Sequence, residues 1–160
     1  MRLLKLLALL ATLAAGAATA AQADVGPPWG PETPNFNVQA VLRPTAIGPE
    51  KGFGLVKFRQ PNDAETRIYL DVRVRDLAPN RTYYVQRAVD MPDGVCTSQG
   101  WLTLGTISTD DSGTGRAELS RLLPASLVGT EFDIHFRIAE TPMSPSGVLE
   151  SGCYQFTVSQ

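Results

Sequence analysis

The chain has little of what most catalytic and metal centres are made from. Among 160 residues there is one histidine, His135, and two cysteines, Cys96 and Cys153. A histidine-based zinc centre needs several His or Cys ligands around a tetrahedral ion, so it fails on ligand count. The cysteines form no C-x-x-C pair, which argues against a thioredoxin-like dithiol. No G-x-S-x-G elbow occurs, and no serine has a local setting that implies activation. Clustered basic residues are missing as well. Lys and Arg number 14 against 16 Asp and Glu, a formal charge of −2. That balance argues against general phosphate-backbone binding, so nucleic acid is not an expected partner. No cofactor is implied. Past residue 23 no apolar stretch is long enough to span a bilayer.

What is present begins with an export signal. Arg2 and Lys5 precede an apolar run from Leu6 to Ala15, and Ala21-Gln22-Ala23 offers small residues at a cleavage site. Residues 1–23 therefore read as a signal peptide cleaved after Ala23, and the product as secreted or periplasmic with no membrane span. Residues 24–34, DVGPPWGPETP, carry four prolines around Trp29 and read as an extended linker or arm. In an oxidising compartment Cys96 and Cys153 are expected to form a disulfide.

Residues 35–160 are governed by alternation with period two, the mark of strands with one buried face. In TRIYLDVRVRDL, Ile68, Leu70, Val72 and Val74 share one face, and Arg67, Tyr69, Asp71, Arg73 and Arg75 the other. In EFDIHFRI, Phe132, Ile134, Phe136 and Ile138 are expected inside, and Glu131, Asp133, His135 and Arg137 in solvent. Further runs start at Phe36, Phe53, Thr82, Trp101, Arg116 and Ser151, with Gly, Pro, Asn and Asp clusters between them. About eight short strands at this spacing predict an all-β fold, an antiparallel two-sheet β-sandwich. Tyr154, Phe156 and Val158 share an inward phase, which puts Cys153 on the outward one. Cys96 lies in the long connection Asp90 to Gly100. The bridge is thus expected to pin that loop to the outside or edge of the sandwich.

The stretch DLAPNRTYYV, through Leu77, Pro79, Tyr83 and Val85, resembles the L-x-P-x-x-x-Y-x-V corner of fibronectin type III and other immunoglobulin-like sandwiches. LGTISTDDSGTG, Leu104 to Gly115, is similar to a strand–turn–strand pattern in such modules of bacterial secreted proteins. The resemblance implies an immunoglobulin-like sandwich with Tyr83 lying across a chain corner. It departs from fibronectin type III in order, because that family has the corner near its end and here five strands follow it. FGLVKFRQ, Phe53 to Gln60, resembles the opening strands of copper–zinc superoxide dismutase, whose metals need a histidine cluster that a single histidine cannot supply.

The candidate chemistry is correspondingly thin. Asp133 and His135 share a strand face and could be imagined as two members of a hydrolytic triad, but an alternating solvated face is the favoured reading. Scattered acids including Glu65, Asp71, Asp76, Asp133 and Glu150 admit a carboxylate pair without specifying one. Asp90 to Gly94 and Asp110 to Gly113 offer oxygen atoms to calcium, yet lack the spacing of an EF-hand and fit ordinary turn chemistry. For binding, the long loop gives the candidate surface Tyr84, Asp90, Asp93 and Trp101, because loops on a rigid scaffold carry recognition. The expectation is an exported, non-catalytic domain that binds a protein or glycan ligand or serves a structural role. The alternatives are a secreted hydrolase using carboxylate or Asp–His chemistry, and a carbohydrate-binding module using Trp29, Tyr69 or Trp101.

Overall fold

The computed structural model describes residues 37–61 and 65–159. The expected signal peptide and proline-rich arm with Trp29 lie outside the described residues. Among the described residues nine strands follow one another: β1 (Asn37–Pro44), β2 (Phe53–Arg59), β3 (Arg67–Arg75), β4 (Thr82–Asp90), β5 (Leu102–Ser108), β6 (Gly115–Leu122), β7 (Glu131–Ala139), β8 (Leu149–Ser151) and β9 (Tyr154–Thr157). The described residues contain no helix apart from a 3-10 turn at Ala125–Leu127. None is long and apolar enough to cross a membrane.

Alternation decides which side of each strand is buried. Val38, Ala40 and Leu42 of β1 face inward, as do Gly54, Val56 and Phe58 of β2 and Ile68, Leu70, Val72 and Val74 of β3. From β7 come Ile134, Phe136 and Ile138, and from the C-terminal stretch Leu149, Phe156 and Val158. Phe58 stands edge-on to Phe156 at 4.3 Å between ring centroids, and Phe136 lies 6.1 Å from Phe58. Burying such rings is the main stabilising term.

Every pairing is antiparallel, and hydrogen bonds join all nine strands into a single sheet in the order β5-β4-β7-β8-β1-β2-β3-β6, with β9 also on β7. The sheet curls until its two edge strands meet. β5 and β6 are consecutive in the chain, and a Thr109–Gly115 bridge ties them at their turn. The result is one sheet nearly closed into a barrel, where the sequence suggested two facing sheets. At Gly105 on β5 the two edges come close, since a Cβ there would lie 2.6 Å from the Leu119 Cδ2 of β6.

Two irregularities re-aim side chains. On β5 the register slips between the partners of Val85 and Gln86, from Gly105 to Thr103. On the last strand, Glu150 pairs with Arg137 and Tyr154 with Ile134, so four steps span three on β7. That bulge falls on Gly152 and Cys153 and separates β8 from β9.

Long connections gather at two ends of the barrel. One end holds the β1–β2, β3–β4, β5–β6 and β7–β8 connections. There Tyr83 Oη accepts a hydrogen bond from the Ala78 amide at 3.2 Å, bracing the β3–β4 corner. Thr109 Oγ1 donates to the Ala78 carbonyl at 2.7 Å, and the Asn80 amide reaches the Asp110 carbonyl at 3.0 Å. Asn80 takes a positive φ of 52° in this corner, a conformation asparagine tolerates better than most residues.

Candidate functional site

The outer face of β7 is where the structure departs most from the sequence reading. Asp133, His135 and Arg137 do point away from the core, but they are buried, with Asp133 at 1% and Arg137 at 2% exposure. The expectation that they form a solvated face is corrected. The β4–β5 and β7–β8 connections fold back over this face and make a second, polar interior.

Carboxylates tie the first of these loops down. Asp90, the last residue of β4, accepts at Oδ1 from the Ser98 amide at 2.8 Å and the Thr97 amide at 3.3 Å. Asp133, opposite it on β7, accepts at Oδ2 from the Gly94 amide at 2.6 Å. Gly94 has φ of 82°, where glycine carries no Cβ penalty. Asp93 is exposed and caps the Val95 amide at 2.9 Å within its own turn. Cys96 and Cys153 are joined by a disulfide, with Cα atoms 5.3 Å apart, so the loop is pinned to the bulge in the last strand. That location is the outer placement expected from strand phase.

Trp101 closes the loop. Its ring lies 4.2 Å from the Arg137 guanidinium carbon and 4.5 Å from the His135 ring. The half-buried indole therefore covers the polar interior of β7, and its Nε1 donates to Gln99 Oε1 at 3.2 Å. Arg137 donates through Nε to Gln86 Oε1 at 2.7 Å and through Nη2 to the Ser144 carbonyl at 2.9 Å. Gln86, fully buried, uses its amide nitrogen on Thr103 Oγ1 and the Pro142 carbonyl, both at 2.9 Å. A buried guanidinium is thus matched by a neutral amide, loop carbonyls and an indole face. Burial lowers the Arg137 pKa, and the charge of Glu150 opposes that shift.

His135 sits between these groups. Its Nε2 lies 3.8 Å from Asp90 Oδ2, and both atoms are buried without a hydrogen-bond partner. Burial pushes the imidazole pKa below its usual value, while the Asp90 charge and a hydrogen bond with the Ser98 backbone pull the other way. The carboxylate facing His135 is therefore Asp90, on the neighbouring strand, and not the Asp133 that sequence spacing suggested. Nε2 is offered no hydroxyl. Asp90, Cys96 and His135 also form the one group of three metal-capable residues among the described residues, each with a ligand atom within 4.8 Å of the others'.

The proposed loop surface is thus partly consumed by its own fold. Asp90 and Trp101 face inward to hold it, Tyr84 is half-buried on β4, and Asp93 remains exposed. The Asp110 turn is likewise self-satisfied, since Oδ1 accepts from the Ser112 and Thr114 amides and the Ser112 hydroxyl. The Ser112 hydrogen bond leads in holding its pKa low.

A second feature was only half visible in the sequence. On the outer face of β2, β3 and β6 lies an open groove of about 510 Å³, lined by Phe53, Leu55, Arg73, Arg75 and Arg116, with Asp110 and Thr114 at one end. Cross-strand register sets it up: Arg73 stands opposite Leu55 and Arg116, and Arg75 opposite Phe53. Asp71 holds Arg73 and Arg116 side by side through both carboxylate oxygens at 3.2–3.3 Å. The Arg73 hydrogen bond leads in lowering the Asp71 pKa. The Phe53 ring carries Arg75 at 5.0 Å and Arg43 at 5.5 Å. The alternating Arg, Tyr and Asp face of β3 was legible, but its partners Phe53 and Arg116 come from strands whose register no spacing reveals.

No protein-family model matches the chain, and no curated protein matches it in sequence.

Proposed function

We propose that this protein is an exported, non-catalytic binding domain that takes an anionic, ring-bearing ligand such as an acidic glycan. The observation that carries the reading is the groove of Arg73, Arg75 and Arg116 around Phe53. Asp71 occupies the Nε–Nη2 edges of Arg73 and Arg116 and fixes both groups in advance. Glu118 and Asp76 pair with Arg116 and Arg75, and the remaining N–H donors are what a carboxylate or sulfate would meet. Pre-ordering lowers the entropy lost when a ligand docks. Phe53 adds an apolar face beside the cations. Export is supported by the leader-like N-terminus and by the Cys96–Cys153 disulfide, a bond that persists in oxidising compartments. The non-catalytic reading is favoured by the covered His135, whose neighbours brace a loop. Kinship with immunoglobulin-like sandwiches is part of the proposal, favoured by the Tyr83–Ala78 corner.

Titration calorimetry with a polyuronate oligosaccharide, set against a neutral oligosaccharide of equal length, tests the ligand class. The charged ligand is expected to bind and to weaken steadily with salt. Arg75→Glu should lose at least tenfold in affinity with an unchanged melting temperature. Equal binding of the two oligosaccharides, or an indifferent Arg75→Glu variant, would sink the proposal.

A further inference from the structure

Several features invite a second role, and the polar interior over β7 carries the argument furthest. Two buried polar atoms, Asp90 Oδ2 and His135 Nε2, face each other at 3.8 Å with no hydrogen bond to either. Buried polar atoms are nearly always satisfied, so a facing pair of orphans points to something that bridges them in another state of the protein. The third group at this point is Cys96 Sγ, with Asp90, His135 and Cys96 ligand atoms all within 4.8 Å of one another. Cys153 contributes the sulfur bonded to it. In the disulfide form these sulfurs carry no charge and bind a divalent cation poorly.

We propose that reduction of Cys96–Cys153 converts this cluster into a binding site for a zinc-like divalent metal, with Cys96, Cys153, His135 and Asp90 as ligands. Asp90, His135 and Cys96 are already gathered, and Cys153, which lies outside that group, has to swing its side chain in once the S–S bond is broken. Zinc bonds of about 2.0–2.3 Å to nitrogen, oxygen and sulfur imply ligand–ligand edges of roughly 3.3–3.8 Å in a tetrahedron. For a nitrogen and an oxygen ligand the edge is about 3.3–3.4 Å, so the orphan pair, now 3.8 Å apart, has to close by a few tenths of an ångström. The sulfurs move apart into the tetrahedral range once their bond is broken. The electron balance is simple: a dithiol donor gives two electrons and two protons, leaves as a disulfide, and turns Cys96 and Cys153 into thiols. Metal entry then expels both thiol protons, because thiolate is the coordinating form. The loop that carries Cys96 is tied by Asp133 to Gly94 as well as by the disulfide, so reduction loosens it without releasing it, and metal binding draws Cys96 back to His135 and Asp90. Metal would then replace the covalent bond as the clasp of the loop. The site shares no residue with the arginine groove, so its failure leaves that reading untouched.

The test uses the exported chain with cobalt(II) as the probe, before and after reduction by a phosphine that is then removed. The reduced protein is expected to bind one cobalt with near-ultraviolet thiolate charge-transfer absorption and the strong visible bands of a tetrahedral site. The oxidised protein should show neither. His135 is the only histidine, so a hyperfine-shifted imidazole resonance in the cobalt-loaded protein is assignable without any variant. His135→Asn and Asp90→Asn should each weaken binding at least tenfold. The proposal is overturned if the reduced protein lacks the charge-transfer band or the shifted imidazole resonance. Equal cobalt affinity in the oxidised form also overturns it.

Discussion

At the residue scale, Arg137 shows how a charge is kept inside a β protein without a carboxylate hydrogen-bonded to it, the Glu150 charge acting only from the neighbouring strand. Its hydrogen bonds run to Gln86 and to carbonyls of the β7–β8 loop, under the Trp101 ring. Arg137→Ala would strand Gln86 Oε1 and the Ser144 carbonyl and open a void below Trp101. A loss of about 3 kcal/mol is expected by urea denaturation. Arg137→Lys should recover only part of it, because an ammonium cannot reproduce the planar fork. His135 gives a pH signature in the oxidised, metal-free protein. Its folded pKa lies below the usual 6.5, so the folded state binds this proton less readily than the unfolded chain. The stabilising contribution is therefore complete above the unfolded value and drains away as pH falls from there through the folded one. Urea midpoints measured between pH 7.5 and 5 should decline with acidification, and His135→Gln should flatten that decline.

At the element scale, the strands were legible and the covering of one strand was not. Ile68, Leu70, Val72 and Val74 announced β3, and Phe136 and Ile138 announced β7, because period two is a local property of the chain. The fate of Asp133, His135 and Arg137 was hidden because it depends on two loops folding back over β7. The β4–β5 loop is held by Asp90, Asp133 and the disulfide and the β7–β8 loop by Arg137 and Gln86, and the Asp133, Gln86 and disulfide links are remote in sequence. The length of the Asp90–Gly100 connection, with Trp101 at its end, was the available hint. Such a loop has to lie against something, and a large ring seldom stays in water. Reduction without added metal should make residues 91–100 sensitive to protease while the far-ultraviolet signature of the strands persists. By loop-closure entropy the bridge, with a sequence separation of 57, contributes about 4 kcal/mol, so the melting temperature should drop on reduction.

At the scale of the whole molecule, the barrel is completed by the hairpin whose two arms are the edges of the sheet. Its turn is therefore a structural keystone as well as a connection. Gly113 sits there at φ of 78°, with its backbone packed against Leu77, and a Cβ would collide with the Leu77 carbonyl. Gly113→Ala is expected to destabilise the fold by more than about 2 kcal/mol, combining backbone strain with steric displacement of the tyrosine corner. Thermal denaturation checks it. Gly105→Ala meets only the flexible end of Leu119 and should cost about 1 kcal/mol or less. The single curled sheet was itself beyond the sequence, since alternation gives each strand two faces without saying whether eight strands make one sheet or two.

The described chain also enters and leaves on the same side. Asn37 pairs with Arg59, and the Ser159 amide and carbonyl both bond the side chain of neighbouring Gln60. Phe53, Arg75 and Gly115 lie at the other end of the same strands. Any segment that joins the domain at Asn37 or Ser159 therefore holds it by one pole and displays the arginine groove from the other. A domain tethered to a surface through either terminus would project the arginine groove outward, with the length of the barrel as its stalk.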